Sequence, residues 1–359
     1  MKRDSLLVAG LGQAGGLFAD LIKSVNQRYT PIYINSSLGD VKDLQWAKKD
    51  TNVFIYSGSD GSGRDRAKAE QLIQLDKLRL ASFIKKYGQF SYMLIFSSMS
   101  GGTGSGTISE FIKLVKQVFP KMIINVVGIL PSLKEESLQL KNALECYNDL
   151  SQVSDLINDI KFINNNKRDT YSEINRESII QIDKSYGMLG HSRIGSIDEN
   201  NLTTVTTAKG YGVILELPRK YSSVEDAITE AQENSVFSIP SNLYCAYGAV
   251  NVTENYNIDN IVELIDADNT IYKTYGDKMN LITLSGCEFP DGDIDDIEAT
   301  LKERELRKSS PKKRGFGFKP KYGTINREES AIDENEEISK DYIDDDDLDK
   351  IFNPDNIRF

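Results

Sequence analysis

The sequence predicts an α/β fold. It places a parallel-sheet domain over residues 1–168, a long central helix over 169–195, a smaller mixed-sheet domain over 196–290, and a C-terminal helix with a charged tail over 291–359. Three observations carry this. Apolar strand-like runs alternate with helical patterns through the first half, the order that a parallel sheet requires. Three of the strand-to-helix connections are rich in glycine, which marks the edge of such a sheet where ligands are held. Beyond Asp291 the composition breaks into blocks of like charge.

The first strand is Ser5–Gly10. A loop containing Gly10, Gly12, Gly15 and Gly16 follows, and an amphipathic helix occupies Ala14 to Val25. Pro31–Asn35 is the second strand. Asn52–Tyr56 is the third and leads into a second glycine-rich loop, Ser57 to Arg64, then a helix over about 65–86. Tyr92–Ser97 reads as a buried strand. It opens into Ser100–Thr107, Ser-Gly-Gly-Thr-Gly-Ser-Gly-Thr, and then a helix with apolar residues at Ile108, Phe111, Ile112, Val115, Val118 and Phe119. Met122–Leu130 is the most apolar strand; it meets Pro131, Glu135 and Glu136 and a helix to about Ser154. Ile160–Ile163 precedes three asparagines, Asn164 to Asn166. The helix after them carries Tyr171 and Asn175 on one face and continues through Ile179, Ile182, Tyr186 and Leu189. Strands near 212–216, 244–252 and 279–284 alternate with helices near 224–232 and 258–267, which gives the smaller sheet. Asp293 to Lys308 forms one charged helix.

The loop Ser100–Thr107 is the chemical centre of this pattern. Glycines let backbone N–H groups turn inward and approach a ligand, the following helix N-terminus adds partial positive charge, and the hydroxyls of Thr103, Ser105 and Thr107 line the same turn. Such a loop grips phosphates. It is not a Walker loop, because no lysine closes it. The first loop satisfies G-x-G-x-x-G after a strand, as in an NAD site, but that site needs an acid at the end of the second strand. Asn35 stands there instead, with Asp40 beyond it. An aromatic and an amide at the spacing of Tyr171 and Asn175 can stack on a base and read its edge.

Net charge is −11, so the chain has no general affinity for nucleic acid or anionic lipid. No apolar run approaches the roughly 20 residues of a membrane span. The N-terminal residues pass directly into a strand without a signal-peptide pattern. Cys146, Cys245 and Cys287 are odd in number and widely spaced, which points to a reducing, cytoplasmic setting and not to a disulfide frame or zinc site. His191 is the single histidine, placed by its neighbours in a loop or at a helix end.

The loop Ser100–Thr107 closely resembles the phosphate loop of the tubulin/FtsZ family, Gly-Gly-Thr-Gly-Ser/Thr-Gly, matched by Gly101, Gly102, Thr103, Gly104, Ser105 and Gly106. Gly12, Gln13, Ala14 and Gly15 match that family's Gly-Gln-Ala-Gly. The resemblance covers about residues 5–290 and is nearest to the plasmid- and phage-borne TubZ branch. It implies a GTP-hydrolysing filament protein that uses GTP/GDP and Mg, with Gln13 beside the phosphates and their metal. Gly61 and Gly63 fall in the loop that senses the γ-phosphate, and Asn35 also falls among the nucleotide contacts. Glu135 aligns with a ribose-binding glutamate, although the family's neighbouring phenylalanines are absent. Asn165, or its neighbours Asn164 and Asn166, matches the asparagine that reads guanine together with Asn175, with Tyr171 as the aromatic. The family's catalytic loop, Asn-x-Asp-x-x-Asp/Glu, places Asp198 at its first acid and Asn201 at its second, with Glu199 as a substitute. An amide at the second position can orient water but lacks a titratable carboxylate. Asp198 also has the sequence position of a helix N-cap.

The resemblance further implies head-to-tail self-association, hydrolysis at the subunit junction, and movement of plasmid or phage DNA through a DNA-binding adaptor, so that DNA is contacted indirectly and no membrane is involved. The basic stretch Lys308–Tyr322, the acidic stretch Glu328–Asp349 and the apolar end after Leu348 read as a disordered interaction tail that can meet the adaptor. Two other functions are compatible with parts of the pattern: a nucleotide-binding filament protein that hydrolyses poorly because of Asn201, and an NAD-dependent oxidoreductase, which lacks its ribose acid here.

Overall fold

A computed structural model describes residues 3–277 and 279–309. The first half alternates as expected: β1 (Leu6–Leu11), α1 (Gly12–Val25), β2 (Thr30–Asn35), β3 (Val53–Ile55), α2 (Arg66–Leu75), α3 (Lys77–Lys85), β4 (Tyr92–Ser98), α4 (Thr103–Val118), β5 (Ile123–Leu130), α5 (Ser137–Ser151), β6 (Asp159–Asn164) and α6 (Tyr171–Ser185). A hairpin follows, β7 (Gly190–Ser192) and β8 (Gly195–Ile197), and then α7 (Glu199–Thr207). The second half holds β9 (Gly210–Glu216), α8 (Val224–Glu233), β10 (Tyr247–Val252), α9 (Ile258–Glu263), β11 (Ile271–Tyr275), β12 (Leu281–Cys287) and α10 (Asp291–Ser309). The basic, acidic and apolar stretches of the tail lie outside the described residues, apart from the first residues of the basic one at the end of α10.

One ten-stranded sheet runs β11-β10-β12-β9-β6-β5-β4-β1-β2-β3. Strands β1 to β6 are mutually parallel. The mixed half joins them through a short parallel seam, Asp159 opposite Gly210 and Ile160 opposite Tyr211, and continues antiparallel through β12. Helices cover both faces. Phe18 and Ile22 of α1, Ile174, Ile179 and Ile182 of α6, and Leu202 and Val205 of α7 bury one face; Phe111 and Ile112 of α4 and Leu140 and Cys146 of α5 bury the other. All three cysteines are free and buried, and burial pushes the Cys146 thiol up to about 12.

Several boundaries differ from the sequence reading, each for a local reason. The helix expected over 65–86 breaks at Asp76, whose carboxylate accepts from the Ser57 N–H and hydroxyl and pairs with Arg79 at 2.7 Å. The central glycine loop is half helix: α4 begins at Thr103, with the Gly106 N–H donating to Gly102 O at 2.9 Å. Glycine disfavours helix, but the close backbone packing around this turn admits no side chain. A Cβ on Gly106 would lie 2.7 Å from the Arg66 carbonyl oxygen. The helix α6 ends at Ser185, short of the expected 195; after it the Gly187 N–H donates to Lys184 O at 2.9 Å, and Gly187 packs where its Cβ would lie 2.2 Å from the Arg3 guanidinium.

That guanidinium anchors the lower end of α6. Asp183 accepts from Arg3 Nε at 2.7 Å, the Tyr29 hydroxyl at 2.9 Å and Asn26 Nδ2 at 3.2 Å. Arg3 precedes β1 and Tyr29 precedes β2, so α6 is pinned to the N-terminal edge of the parallel strands. Asp183→Ala leaves a buried phenol without its acceptor and a half-buried guanidinium with only the residue 183 carbonyl. It should lower unfolding free energy by about 2–3 kcal/mol, read as a lower urea midpoint with an unchanged slope.

Candidate nucleotide site

The C-terminal ends of β1 to β6 surround a cleft of about 650 Å³. Its floor is glycine because three loops approach one another backbone to backbone. A Cβ on Gly12 would lie 2.9 Å from Gly104 N, one on Gly104 would lie 2.9 Å from Leu11 O, and one on Gly102 would lie 2.8 Å from the Arg64 backbone. Gly12, Gly61 and Gly63 adopt the left-handed conformation, and so does Arg64 at φ 66°, unusual for a residue with a side chain. Helices α1 and α4 both start at this floor with no side-chain cap and no acid in their first turn. Their leading N–H groups have no intrahelical acceptors, and those of α4 open the helix that the sequence places after a phosphate-gripping loop.

Hydroxyls tie the loops together. Thr103 Oγ1 lies 2.6 Å from Ser36 Oγ and 3.0 Å from Ser62 Oγ, so one side chain joins the ends of β2, of the second glycine loop and of β4. From α5, Asn142 Nδ2 donates to Arg64 O at 3.0 Å, Ser100 O at 3.1 Å and Gly101 O at 3.3 Å. The buried Arg66 donates to Ser105 O at 2.7 Å and pairs with Asp149 and Glu145. Ser36, Ser62 and Asn142 were not singled out from the sequence, where isolated serines and asparagines carry no pattern.

The cleft brings together Gly12, Gln13, Ala14, Gly61, Gly63, Gly101, Gly102, Thr103, Gly104, Glu135, Asn165, Tyr171 and Asn175. It also exposes Asp40 and Asp60. Asn35, Ser105 and Gly106 lie behind its wall. Asn35 Oδ1 accepts from the Ser36 N–H at 2.7 Å, the Ser105 hydroxyl donates to Gly101 O, and Gly106 packs on α2. Glu135 is held on several sides: it accepts from the Ser132 N–H at 3.0 Å, Gln139 Nε2 at 2.6 Å and the Tyr171 hydroxyl at 3.2 Å. Burial, and then the Glu135 carboxylate, push the Tyr171 phenol up, so it stays a protonated donor.

The three asparagines after β6 are not equivalent. Asn164 and Asn166 are spent on the turn: Asn164 Oδ1 accepts from the Asn166 N–H at 2.8 Å, and Asn166 Oδ1 accepts from the Leu133 N–H at 2.8 Å. Asn165 lines the cleft, and its buried Oδ1 has no partner. An orphaned acceptor beside an aromatic and a second amide, above a glycine floor, fits a purine nucleotide. Among the described residues no group of three or more His, Cys, Asp or Glu could hold a metal ion alone. Residues 5–172 match the Tubulin/FtsZ family, GTPase domain.

Over residues 5–172 the chain thus matches a tubulin/FtsZ-family GTPase domain. The tubulin-like protein TubZ of Clostridium botulinum C phage is 27% identical over 289 residues, covering 80% of each chain. The crystal structure of Clostridium botulinum phage c-st TubZ superposes with a TM-score of 0.78 at 24% identity, over 85% of this chain and all of that one. A GTPγS-form protofilament structure of Bacillus thuringiensis serovar israelensis TubZ superposes with a TM-score of 0.71 at 17% identity, over 84% and 92%. The tubulin/FtsZ-like fold is thus shared along most of the chain.

Asp198, Glu199 and Asn201 are not in the cleft. Asp198 N-caps α7 in a capping box: its Oδ1 accepts from the Asn200 and Asn201 N–H groups at 2.8 Å each, and Asn201 Oδ1 accepts from the Asp198 N–H at 3.0 Å. Glu199 lies within electrostatic reach of Arg28, between α1 and β2 at the opposite edge of the sheet. Helix α6 spans the distance. Tyr171 at its start lines the cleft, Asp183 near its end binds Arg3, and its 15 residues rise about 22 Å.

Thr103→Ala breaks the hydroxyl link between three loops without creating a clash. It should weaken GTP binding about tenfold, as expected for the loss of its two hydroxyl contacts. Titration of a fluorescent GTP analogue checks this.

Proposed function

We propose that this chain is a GTP-dependent filament-forming cytoskeletal GTPase whose hydrolytic site is completed by the next subunit. The observation that carries the reading is the separation of the cleft from Asp198 by the full length of α6. The N–H groups opening α1 and α4 hold the phosphates, and Thr103 fixes the loops that present them. Glu135 holds the ribose, and Tyr171, Asn165 and Asn175 stack on guanine and read its edge. A Mg ion accompanying the phosphates would be held by them together with Gln13, with Asp40 and Asp60 as the nearby carboxylates, and it would supply charge neutralisation.

Asp198 cannot act on its own subunit's nucleotide. In a head-to-tail stack it faces the cleft of the next subunit. Both capping bonds go to its Oδ1, so Oδ2 can polarise a water while the cap holds the carboxylate in place. Asn201 is engaged in the same cap, which leaves Asp198 and Glu199 as the acids of the loop. The protofilament form of the Bacillus thuringiensis relative supports stacking as the working assembly. A heterologous contact of this kind grows into a polymer without closing. We further propose that residues 1–168, 169–195, 196–290 and 291–359 act as nucleotide domain, central helix, second domain and tail. In this scheme the tail contacts a DNA-binding adaptor in the cytoplasm, serving plasmid or phage partition.

Light scattering and phosphate release after addition of GTP with Mg test the reading, with ATP as the control. The parent chain should assemble on GTP and not on ATP. Asn175→Ala should weaken GTP binding by about 1–3 kcal/mol by leaving the base edge unpaired. Equal assembly of the parent chain on ATP would remove the base-reading role of Asn165 and Asn175.

A further inference from the structure

We infer that the edge strand β11 fixes the position of the Asp198 carboxylate through the β7–β8 hairpin, which makes Gly195 and Ser192 positioning residues for hydrolysis. The inference rests on the catalytic reading of Asp198 given above.

The helix α6 does not run into the catalytic loop. It stops at Ser185, and residues 186–197 carry the chain to Asp198. The ordered part of this connection is a hairpin of two three-residue strands joined by Arg193 and Ile194. A hairpin that short has no stability of its own and takes its geometry from what it lies on.

It lies on β11, and three consecutive residues of that strand meet it. A Cβ on Gly195 would lie 2.5 Å from the Lys273 carbonyl oxygen, a backbone atom in a strand laddered to β10. A Cβ on Gly190 would lie 2.9 Å from Cγ2 of the fully buried Thr274. The Tyr275 N–H donates to Ser192 Oγ at 3.2 Å. Two of the six hairpin strand positions therefore admit glycine alone, and a third supplies the acceptor that sets the register.

The distance from this seat to the reacting group is short. Gly195 is three residues from Asp198, and the last residue of β8, Ile197, directly before the cap, is 1% exposed. On the other side the capping box ties Asp198 to α7, which is anchored by the buried Leu202 and Val205. A side chain at 195 must lift β8 from β11 and carry Asp198 with it, while the nucleotide cleft at the other end of α6 keeps its geometry. Displacement of a reacting group by about 1 Å costs far more in rate than in binding.

The test uses the full chain as Gly195→Ala, Ser192→Ala, Asp198→Ala and, as a control, Gly292→Ala, whose added Cβ would meet nothing within 4 Å. GTP affinity is measured on dilute subunits, phosphate release per assembled subunit at saturating GTP, and hydrogen exchange at the Asn200 and Asn201 amides. Gly195→Ala should lower phosphate release at least about tenfold, with GTP affinity within about twofold of the parent and faster exchange at both amides. Ser192→Ala should lower release about threefold, as expected for one hydrogen bond. Parental turnover in Gly195→Ala beside slow Asp198→Ala overturns the role of the seat. If Gly195→Ala does not bind GTP and so has not folded, Ser192→Ala decides by the same criterion. Parental turnover in Asp198→Ala removes the catalytic reading, and the positioning role with it.

Discussion

At the C-terminal edge of the parallel strands, the loops after β1, β3 and β4 meet backbone to backbone, with no room for a side chain between Gly12 and Gly104 or between Gly102 and Arg64. The rest of the nucleotide domain depends on this close approach. It aims the starts of α1 and α4 at one point, so that uncapped N–H groups from two helices converge. It places Thr103 within reach of Ser36 and Ser62, which turns three separate loops into one rigid floor. It also explains why four glycines survive at the start of a helix or just before it, where propensity alone would remove them. A floor built from backbone carries little positive charge of its own, and the cleft compensates through aligned peptide dipoles in place of a lysine.

The second constraint is the length and anchoring of α6. Its first turn shares the cleft with Glu135 through Tyr171, and its last turn is fixed to Arg3, Tyr29 and Asn26 through Asp183. Both ends are thus coupled to the same parallel sheet, one at each edge. A group carried past the end of α6 is held on the far side of the subunit from the phosphate floor. In the proposed scheme binding and hydrolysis are separable properties, one belonging to the subunit and the other to the junction between subunits.

The parallel half was legible in the sequence because its signals are local: apolar strands, glycine at the turns, and the Tyr171/Asn175 spacing. Boundaries were less legible where a distant residue decides them. Tyr186 and Leu189 continue the apolar spacing of α6, but the helix stops at Ser185, and the Gly187 that follows packs on Arg3 from the start of the chain. Thr103 to Thr107 looked like loop because glycine and hydroxyl residues disfavour helix, and tertiary packing overrides that preference. The strand β11, Ile-Tyr-Lys-Thr-Tyr, lacks an apolar run because it is the outer strand of the sheet and only Thr274 is fully buried. In the cleft, the choice among Asn164, Asn165 and Asn166 could not be made from adjacent identical residues. The hydrogen bonds of the turn consume two of them and leave Asn165 Oδ1 without a partner.

The claim that binds these observations is that cleft and acids belong to different subunits at work. The most direct measurement is the specific rate of phosphate release, per subunit and at saturating GTP, as protein concentration is raised through the threshold for light scattering. A divided site predicts negligible release below that threshold and release proportional to assembled protein above it. The same specific rate in dilute, unassembled protein as in concentrated protein would contradict it.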